Sequence, residues 1–371
     1  VGEESFDRYE RQLVLKGFGN SAQIKLQNAK VLVIGAGGLG CPALLYIVAA
    51  GVGTIGIVDH DSISLNNLHR QVLYNTNDIG KSKAETAKAH LHALNPEIAI
   101  HSYVVKLVRS NVLKLISDYD FILDCTDNFD ARYLINDACL LLKKPLIFAA
   151  VSDYQGQLAI FNVPDEFGVA VNYRDLFPVP PKPGEVPNCE ENGVLGVLPG
   201  IIGAMQAAEL IKLITHLKGA LINKLLTYDL LTQQIYHIEI SNAEPDSYPI
   251  PSMKDFENSE HGDAAVAEIE VAAFKHLLEE GNTCFIDVRE LHEIPKLNGF
   301  VYKQIPMSIL DEDSLTGILE KNVVFVCQHG IRSLHAAELF HDQNELDKKL
   351  YSLRGGVARW KAALKELDLI S

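Results

Sequence analysis

Residues 30–61, KVLVIGAGGLGCPALLYIVAAGVGTIGIVDHD, decide the fold. Positions 31–58 carry no charge, and the run is long enough to cross a membrane. Seven glycines and Pro42 interrupt it, however. It reads instead as a buried strand, a glycine turn, a helix and a second buried strand. Pro42 falls near the helix start, where a missing N–H costs nothing. Gly35-x-Gly37-x-x-Gly40 sits between strand and helix, where glycine lets the backbone approach a phosphate and the helix N-terminus favours its charge. Asp59 ends the second strand, 19 residues after Gly40, a spacing that suits a carboxylate bound to a ribose hydroxyl. Taken alone, this pattern admits a nicotinamide-dependent dehydrogenase, an adenylate-binding enzyme, or glycines that merely permit close strand–helix packing.

Outward from this stretch the alternation continues. KSKAETAKAHLHALNP is an amphipathic helix, and FILDCTDN and PLIFAAV are further apolar strands. Strands apolar on both faces, separated by helices, predict an α/β fold with a central, mostly parallel sheet covered on both sides. Residues 164–190 hold six of the fifteen prolines and read as an extended crossover. A helix follows around IIGAMQAAELIKLITHL, and KLLTYDLLT and QQIYHIEI read as closing strands. The polar stretch 241–262 reads as a linker, which gives a first domain over 1–245, a linker over 246–262 and a second small α/β domain over 263–371.

The 371 residues are 47% hydrophobic and 22% charged, with a formal net charge of −15. Such an acidic surface argues against nucleic acid or an anionic membrane as the main partner. The six cysteines form no CxxC pair, so no cysteine-based zinc site is legible, and scattered single cysteines suit a reducing, cytoplasmic setting. The chain opens on a charged, polar segment rather than a secretory signal.

The residues beyond the second strand separate the nucleotide readings. Asn67, Arg70 and Gln71 stand in SLNNLHRQ, Lys83 follows in GKSK, and Asp124-Cys-Thr-Asp127-Asn128 ends a later strand. Chemistry at an α-phosphate calls for cations that stabilise developing charge and a carboxylate that holds Mg²⁺. A dehydrogenase has little use for them. Asp61 and Asp124 are open to two readings, as ligand contacts or as strand-end caps.

Together Arg8-Tyr-Glu-Arg11-Gln12, the GAGGLG turn, Asp59-His-Asp61, Asn67-Leu-His-Arg70-Gln71, Lys83 and Asp124–Asn128 resemble the ThiF/MoeB/HesA group, bacterial relatives of ubiquitin-activating enzymes, over about residues 5–240. The resemblance implies adenylation, with MgATP, of the C-terminal glycine of a ubiquitin-like sulfur carrier ending in Gly-Gly. It implies that Gly35, Gly37 and Gly40 line the nucleotide, Asp59 holds the ribose, Asn67, Arg70, Gln71 and Lys83 contact phosphates, and Asp127 binds the metal. It implies that Arg11 reaches the neighbouring subunit's site in a homodimer, an ordinary salt bridge being the other reading. Cys189, at the end of the crossover, matches a cysteine that forms covalent links in some relatives; the other reading is packing. Many relatives bind zinc with two CxxC pairs. Here the matching places, Asn172–Asp175 and 242–248, have no cysteine, so the expectation is no zinc and a crossover held by packing alone.

In the second domain, Val323–Val326 is an apolar strand leading into Cys327-Gln-His-Gly330-Ile-Arg332-Ser333 and then a helix. A thiol placed there, beside backbone N–H groups and Arg332, is set up as a stabilised anion. This loop, Asp287-Val-Arg289-Glu290 and LRGGVARW (353–360) resemble single-domain rhodaneses over about 265–368, although KLNGFVY (296–302) departs from the usual run. The expectation is a fused activating enzyme and sulfurtransferase of the molybdopterin-synthase sulfurylase type, fed by a cysteine desulfurase or another sulfur donor. A vestigial docking role for the second domain, with adenylation of some other carboxylate, is the alternative; a non-catalytic scaffold is a further one.

Overall fold

The computed structural model describes residues 7–181, 193–242, 248, 252–257, 266–310, 317–343 and 348–370. Cys189 lies outside the described residues. Two compact units result, and the division in the chain falls after Asn258.

The first unit is built on eight strands: β1 (Lys30–Ile34), β2 (Thr54–Val58), β3 (Ala99–Tyr103), β4 (Phe121–Asp124), β5 (Leu146–Ser152), β6 (Gln155–Phe161), β7 (Lys224–Asp229) and β8 (Gln234–Glu239). Their order is β3-β2-β1-β4-β5-β6-β7-β8. The first five run parallel, and β6, β7 and β8 add on antiparallel. The strand KVLVI explains the layering. Its alternate side chains point to opposite faces, so Val31 and Val33 enter one core while Leu32 and Ile34 enter the other. The first core is closed by helices Gly40–Ala49, Lys83–Leu94 and Val197–Thr215, the second by Arg109–Ser117 and Phe129–Leu141.

The helix Val197–Thr215 is long and apolar enough to cross a membrane by length and composition. Its Leu198, Ile202, Leu210 and Ile214 are instead buried in the core beside the Gly40–Ala49 helix. The 31–58 run is the strand–turn–helix–strand unit its glycines indicated. The sequence reading did not include β3, β6 or β9 (Val266–Ile269). The first residues of β6, Gln-Gly-Gln, are polar, and β3 and β9 are short and mixed. Within the stretch expected to be a linker, Met253–Glu257 forms a short helix, and its Phe256 is buried in the second core.

The second unit holds a five-stranded parallel sheet. Besides β9 it contains β10 (Thr283–Asp287), β11 (Lys303–Gln304), β12 (Asn322–Val326) and β13 (Lys349–Leu353), in the order β11-β10-β12-β13-β9. After β13 follow two short helices, Gly356–Arg359 and Lys361–Glu366.

Candidate functional site

In the first sheet the chain leaves β1 for β2 on one side, while β4 lies on the other. Open α/β sheets bind ligands at this switch point, beyond the carboxyl ends of the strands. The glycine turn stands there. Gly35 has φ +95°, and a side chain on it would lie 2.7 Å from the Cys125 carbonyl oxygen. The start of the Gly40–Ala49 helix, whose first N–H groups lack partners within the helix, faces the same edge.

Asp59 fastens this turn. Its Oδ2 accepts the Ala36 N–H at 2.8 Å and its Oδ1 accepts the Asp61 N–H at 2.9 Å. Burial pushes its carboxyl above the usual range, against the pull of Lys83. Tyr74, which the sequence did not single out, braces the turn from below by donating to the Ala36 carbonyl at 2.9 Å.

Lys83 is buried at the start of its helix, and its ammonium bonds Asp61 Oδ2 at 2.8 Å. Burial pulls its pKa down, but the carboxylates of Asp59 and Asp61 outweigh that and leave it raised; Asp127 acts in the same direction. Lys83 is therefore a fixed cation at neutral pH. Asp61 faces the site as the partner of Lys83.

Gln71 is 3% exposed, and its Oε1 has no hydrogen-bond partner among the described residues. Its amide nitrogen lies 3.6 Å from the point where a Gly37 side chain would begin, so it flanks the turn. An orphaned buried oxygen is costly unless a ligand or water satisfies it. Arg70 lies across the same turn, with its Cδ 3.5 Å from the corresponding point at Gly38. Its guanidinium bonds the Asn66 carbonyl at 3.1 Å and sits beside His69. Asn67 caps a local turn, its Oδ1 accepting from Ser64 at 2.8 Å, which leaves its amide N–H₂ for a ligand.

Asp124 and Asp127 part company. Asp124 is fully buried and accepts from the Thr126 N–H and hydroxyl, with the Arg132 Nε 3.8 Å from its other oxygen. Burial raises its pKa against the pull of Arg132, and its Oδ2 makes no hydrogen bond among the described residues, so both the strand-end cap and the ligand contact remain open for it. Asp127 is exposed, just past β4, and makes no hydrogen bond or ion pair among the described residues.

Arg11 is not brought to this site within the subunit. It lines a pocket of about 240 Å³ with Arg8, Tyr9, Gln12, Leu15 and Ala49. Ala49 ends the helix that Gly40 begins, so the glycine turn is roughly 15 Å away at 1.5 Å per residue.

The crossover is not held by packing alone, as the sequence reading expected. Asn172 caps the short helix Tyr173–Leu176 and bonds Asp175 Oδ2 at 2.8 Å and the Tyr248 hydroxyl at 2.6 Å. That hydroxyl donates to Asp175 Oδ1 at 2.9 Å. Arg174 pairs with Asp137 at 2.7 and 2.8 Å. A polar clasp thus joins the two segments that the sequence pattern left without ligands.

In the second unit, Cys327 is 1% exposed at the carboxyl end of β12. Its Sγ accepts from the Gly330 N–H at 3.0 Å and the Ser333 hydroxyl at 3.3 Å. Gly356 lets the neighbouring loop close on it, since a side chain there would stand 2.4 Å from the Cys327 carbonyl. Arg332 is in the first turn of the following helix but is bound to Glu293 rather than to the thiol. The remaining described cysteines are buried. Burial pushes Cys41 up to about 12 and raises Cys125, Cys139 and Cys284, which fits inert core thiols.

The ThiF family model matches residues 9–249, and the rhodanese-like domain model matches 270–363. The chain is 38% identical over 372 residues to "Probable adenylyltransferase/sulfurtransferase MoeZ" of Mycobacterium tuberculosis, covering 97% of this chain and 94% of that protein. It is 48% identical over 230 residues to the "Sulfur carrier protein adenylyltransferase" of Thermus thermophilus, covering 62% and 85%. Against the "Adenylyltransferase and sulfurtransferase MOCS3" of Aedes aegypti it is 46% identical over 222 residues, covering 60% and half of that protein. Among solved structures, Escherichia coli MccB with MccA-N7isoASN superposes with a TM-score of 0.56 at 23% identity over 66% of this chain and 75% of that one, a likeness of fold.

Proposed function

The chain belongs to the ThiF family and carries a rhodanese-like domain behind it, and from that premise we propose how its residues divide the work. It is an ATP-dependent adenylyltransferase with sulfurtransferase activity, acting on a ubiquitin-like sulfur carrier. The names of the relatives do not favour the nicotinamide-dependent or vestigial-domain readings. The observation that carries the assignment to this site is one sheet edge that gathers the glycine turn, the orphaned Gln71 oxygen, the buried Lys83 cation and the exposed Asp127 carboxylate.

The carrier's terminal carboxylate attacks the α-phosphorus of ATP, and pyrophosphate leaves with the bonding electrons. The glycine turn would seat the phosphates. The amide N–H₂ groups of Gln71 and Asn67, with Arg70 and Lys83, would hold their oxygens as charge moves onto the leaving group, an effect that is large in a preorganised site. Asp127 would hold Mg²⁺, which when bound supplies further positive charge at the phosphates. Asp59 holds the turn in place, and the ribose would meet whatever acceptor capacity its oxygens retain.

Cys327 would carry sulfane sulfur as a persulfide. Its outer sulfur attacks the acyl-adenylate carbonyl and AMP leaves, which gives an acyl disulfide. The thiolate of Cys189 would then attack Cys327 Sγ, expelling the thiocarboxylate and forming a Cys189–Cys327 disulfide that an external thiol reduces. Arg11, remote from its own glycine turn, would serve the second copy in a homodimer. The crossover would need no zinc, because the Asn172–Asp175–Tyr248 clasp ties it to the 242–248 segment. The sulfur would come from a cysteine desulfurase or a similar persulfide source.

The test is ATP–pyrophosphate exchange. Exchange should require Mg²⁺ and a carrier ending in Gly-Gly, and Asp127→Ala should slow it by about a hundredfold or more. Exchange unaffected by that substitution would remove Asp127 from the site.

A further inference from the structure

Both arms of Arg332 are committed. Nη1 donates to Glu293 Oε1 at 2.7 Å and Nη2 to Oε2 at 2.8 Å, with the two side chains only 17% and 18% exposed. Burial opposes the charge on Glu293, but the Arg332 bonds, together with the Glu290 N–H at 2.8 Å, hold its carboxyl below the usual range. A second bridge ties the same segment to the loop: Arg289 Nη1 bonds the Pro295 carbonyl at 2.8 Å and reaches Gln328 Oε1 at 3.3 Å. Arg289 is itself neutralised by Asp287 at 2.8 Å. Residues 289–295 therefore border the Cys327 loop, and both arginines there are matched by carboxylates. The groups that bond the Cys327 sulfur, the Gly330 N–H and the Ser333 hydroxyl, are neutral.

Beside the pair stand open apolar side chains, together with the exposed His292 and the half-buried His329. Ile294 follows Glu293 and is 75% exposed, Ile331 precedes Arg332 and is 43% exposed, and Leu291 is 69% exposed. Such a mouth offers little to compensate the desolvation of a small dianion.

We propose that Glu293 sets the donor class of Cys327, cancelling the charge of Arg332 so that the loop takes sulfane sulfur from a thiol-borne persulfide in preference to an inorganic dianion such as thiosulfate. This rests on the reading of Cys327 as the sulfur-carrying thiol. In the transfer, the Cys327 thiolate attacks the outer sulfur of R–S–S⁻, the donor S–S bond breaks and R–S⁻ leaves with the electron pair. The sulfane sulfur changes carrier and no outside oxidant or reductant is used. Glu293 is a specificity-determining residue here, since it acts through Arg332.

The experiment compares thiosulfate with cysteamine persulfide, whose net charge is zero, as donors to the full-length protein with cyanide as acceptor. Glu293→Gln should lower KM for thiosulfate by about tenfold, the yield of one freed charge-assisted hydrogen bond, with kcat and the persulfide KM nearly unchanged. Adding Arg332→Gln should return the thiosulfate KM to the wild-type value, whereas Glu293→Asp, which keeps the charge, should stay near it. A thiosulfate KM that does not fall in Glu293→Gln, or a fall that survives Arg332→Gln, would overturn the proposal. Mass spectrometry of wild-type protein after donor treatment separates the two readings. Sulfur absent from Cys327 would defeat the persulfide assignment, whereas loaded Cys327 with an unmoved KM would defeat only the role of Glu293.

Discussion

At Gly40 there is no room for a methyl group: a side chain would begin 2.0 Å from the Gly35 carbonyl oxygen. The helix that opens there can approach the turn only because both positions are glycine, and that approach shapes the phosphate seat. Gly40→Ala should therefore cost about 1–3 kcal/mol in urea unfolding, the usual range for overpacking, and raise KM for ATP more than it lowers kcat. Unchanged ATP kinetics would separate the turn from the nucleotide. The glycine turn and the strand end and helix start around 327–333 were legible in the sequence because their logic is local. The partners of these residues were not. Tyr74 under Ala36, Arg132 beside Asp124 and Glu293 on Arg332 are contacts between distant parts of the chain. Glu293 stands 39 positions before Arg332, and no spacing in the sequence links the two.

Between elements, the Asn172–Asp175–Tyr248 clasp shows what a missing motif leaves behind. The absence of cysteines told where a metal clip was not to be expected, but hydrogen bonds made by an Asn, an Asp and a Tyr leave no spacing signature in sequence. Removing the hydroxyl in Tyr248→Phe leaves Asn172 and Asp175 each short of a partner, so unfolding should be about 1–2 kcal/mol easier. Metal analysis of the wild-type protein should find no stoichiometric zinc. Zinc present, or a Tyr248→Phe variant as stable as wild type, would mean that something else joins the two segments. The strands β3, β6 and β9 were also missed. Strands β3 and β9 are short, mixed segments paired with more apolar neighbours, whereas β6 opens on polar residues although its Leu158, Ile160 and Phe161 are fully buried.

For the whole molecule, the first unit holds a nucleotide-type site and the second a buried reactive-type thiol, and the two chemistries should separate by mutation. The position of Arg11, at the far end of the helix from the glycine turn, predicts that inactive Arg11→Ala and inactive Asp127→Ala proteins regain some exchange activity when mixed, because one composite site in the mixed dimer is intact. No regain after confirmed subunit exchange would exclude a shared site. The most direct test of the central claim, that one chain activates a carrier and then delivers sulfur to it from Cys327, is the mass of the carrier's C-terminus after incubation with MgATP, a persulfide donor and either wild-type or Cys327→Ala protein. The wild type should exchange one oxygen for sulfur; Cys327→Ala should leave the carboxylate unthiolated while ATP–pyrophosphate exchange stays near the wild-type rate. Thiocarboxylate formed by Cys327→Ala without added sulfide would contradict the account.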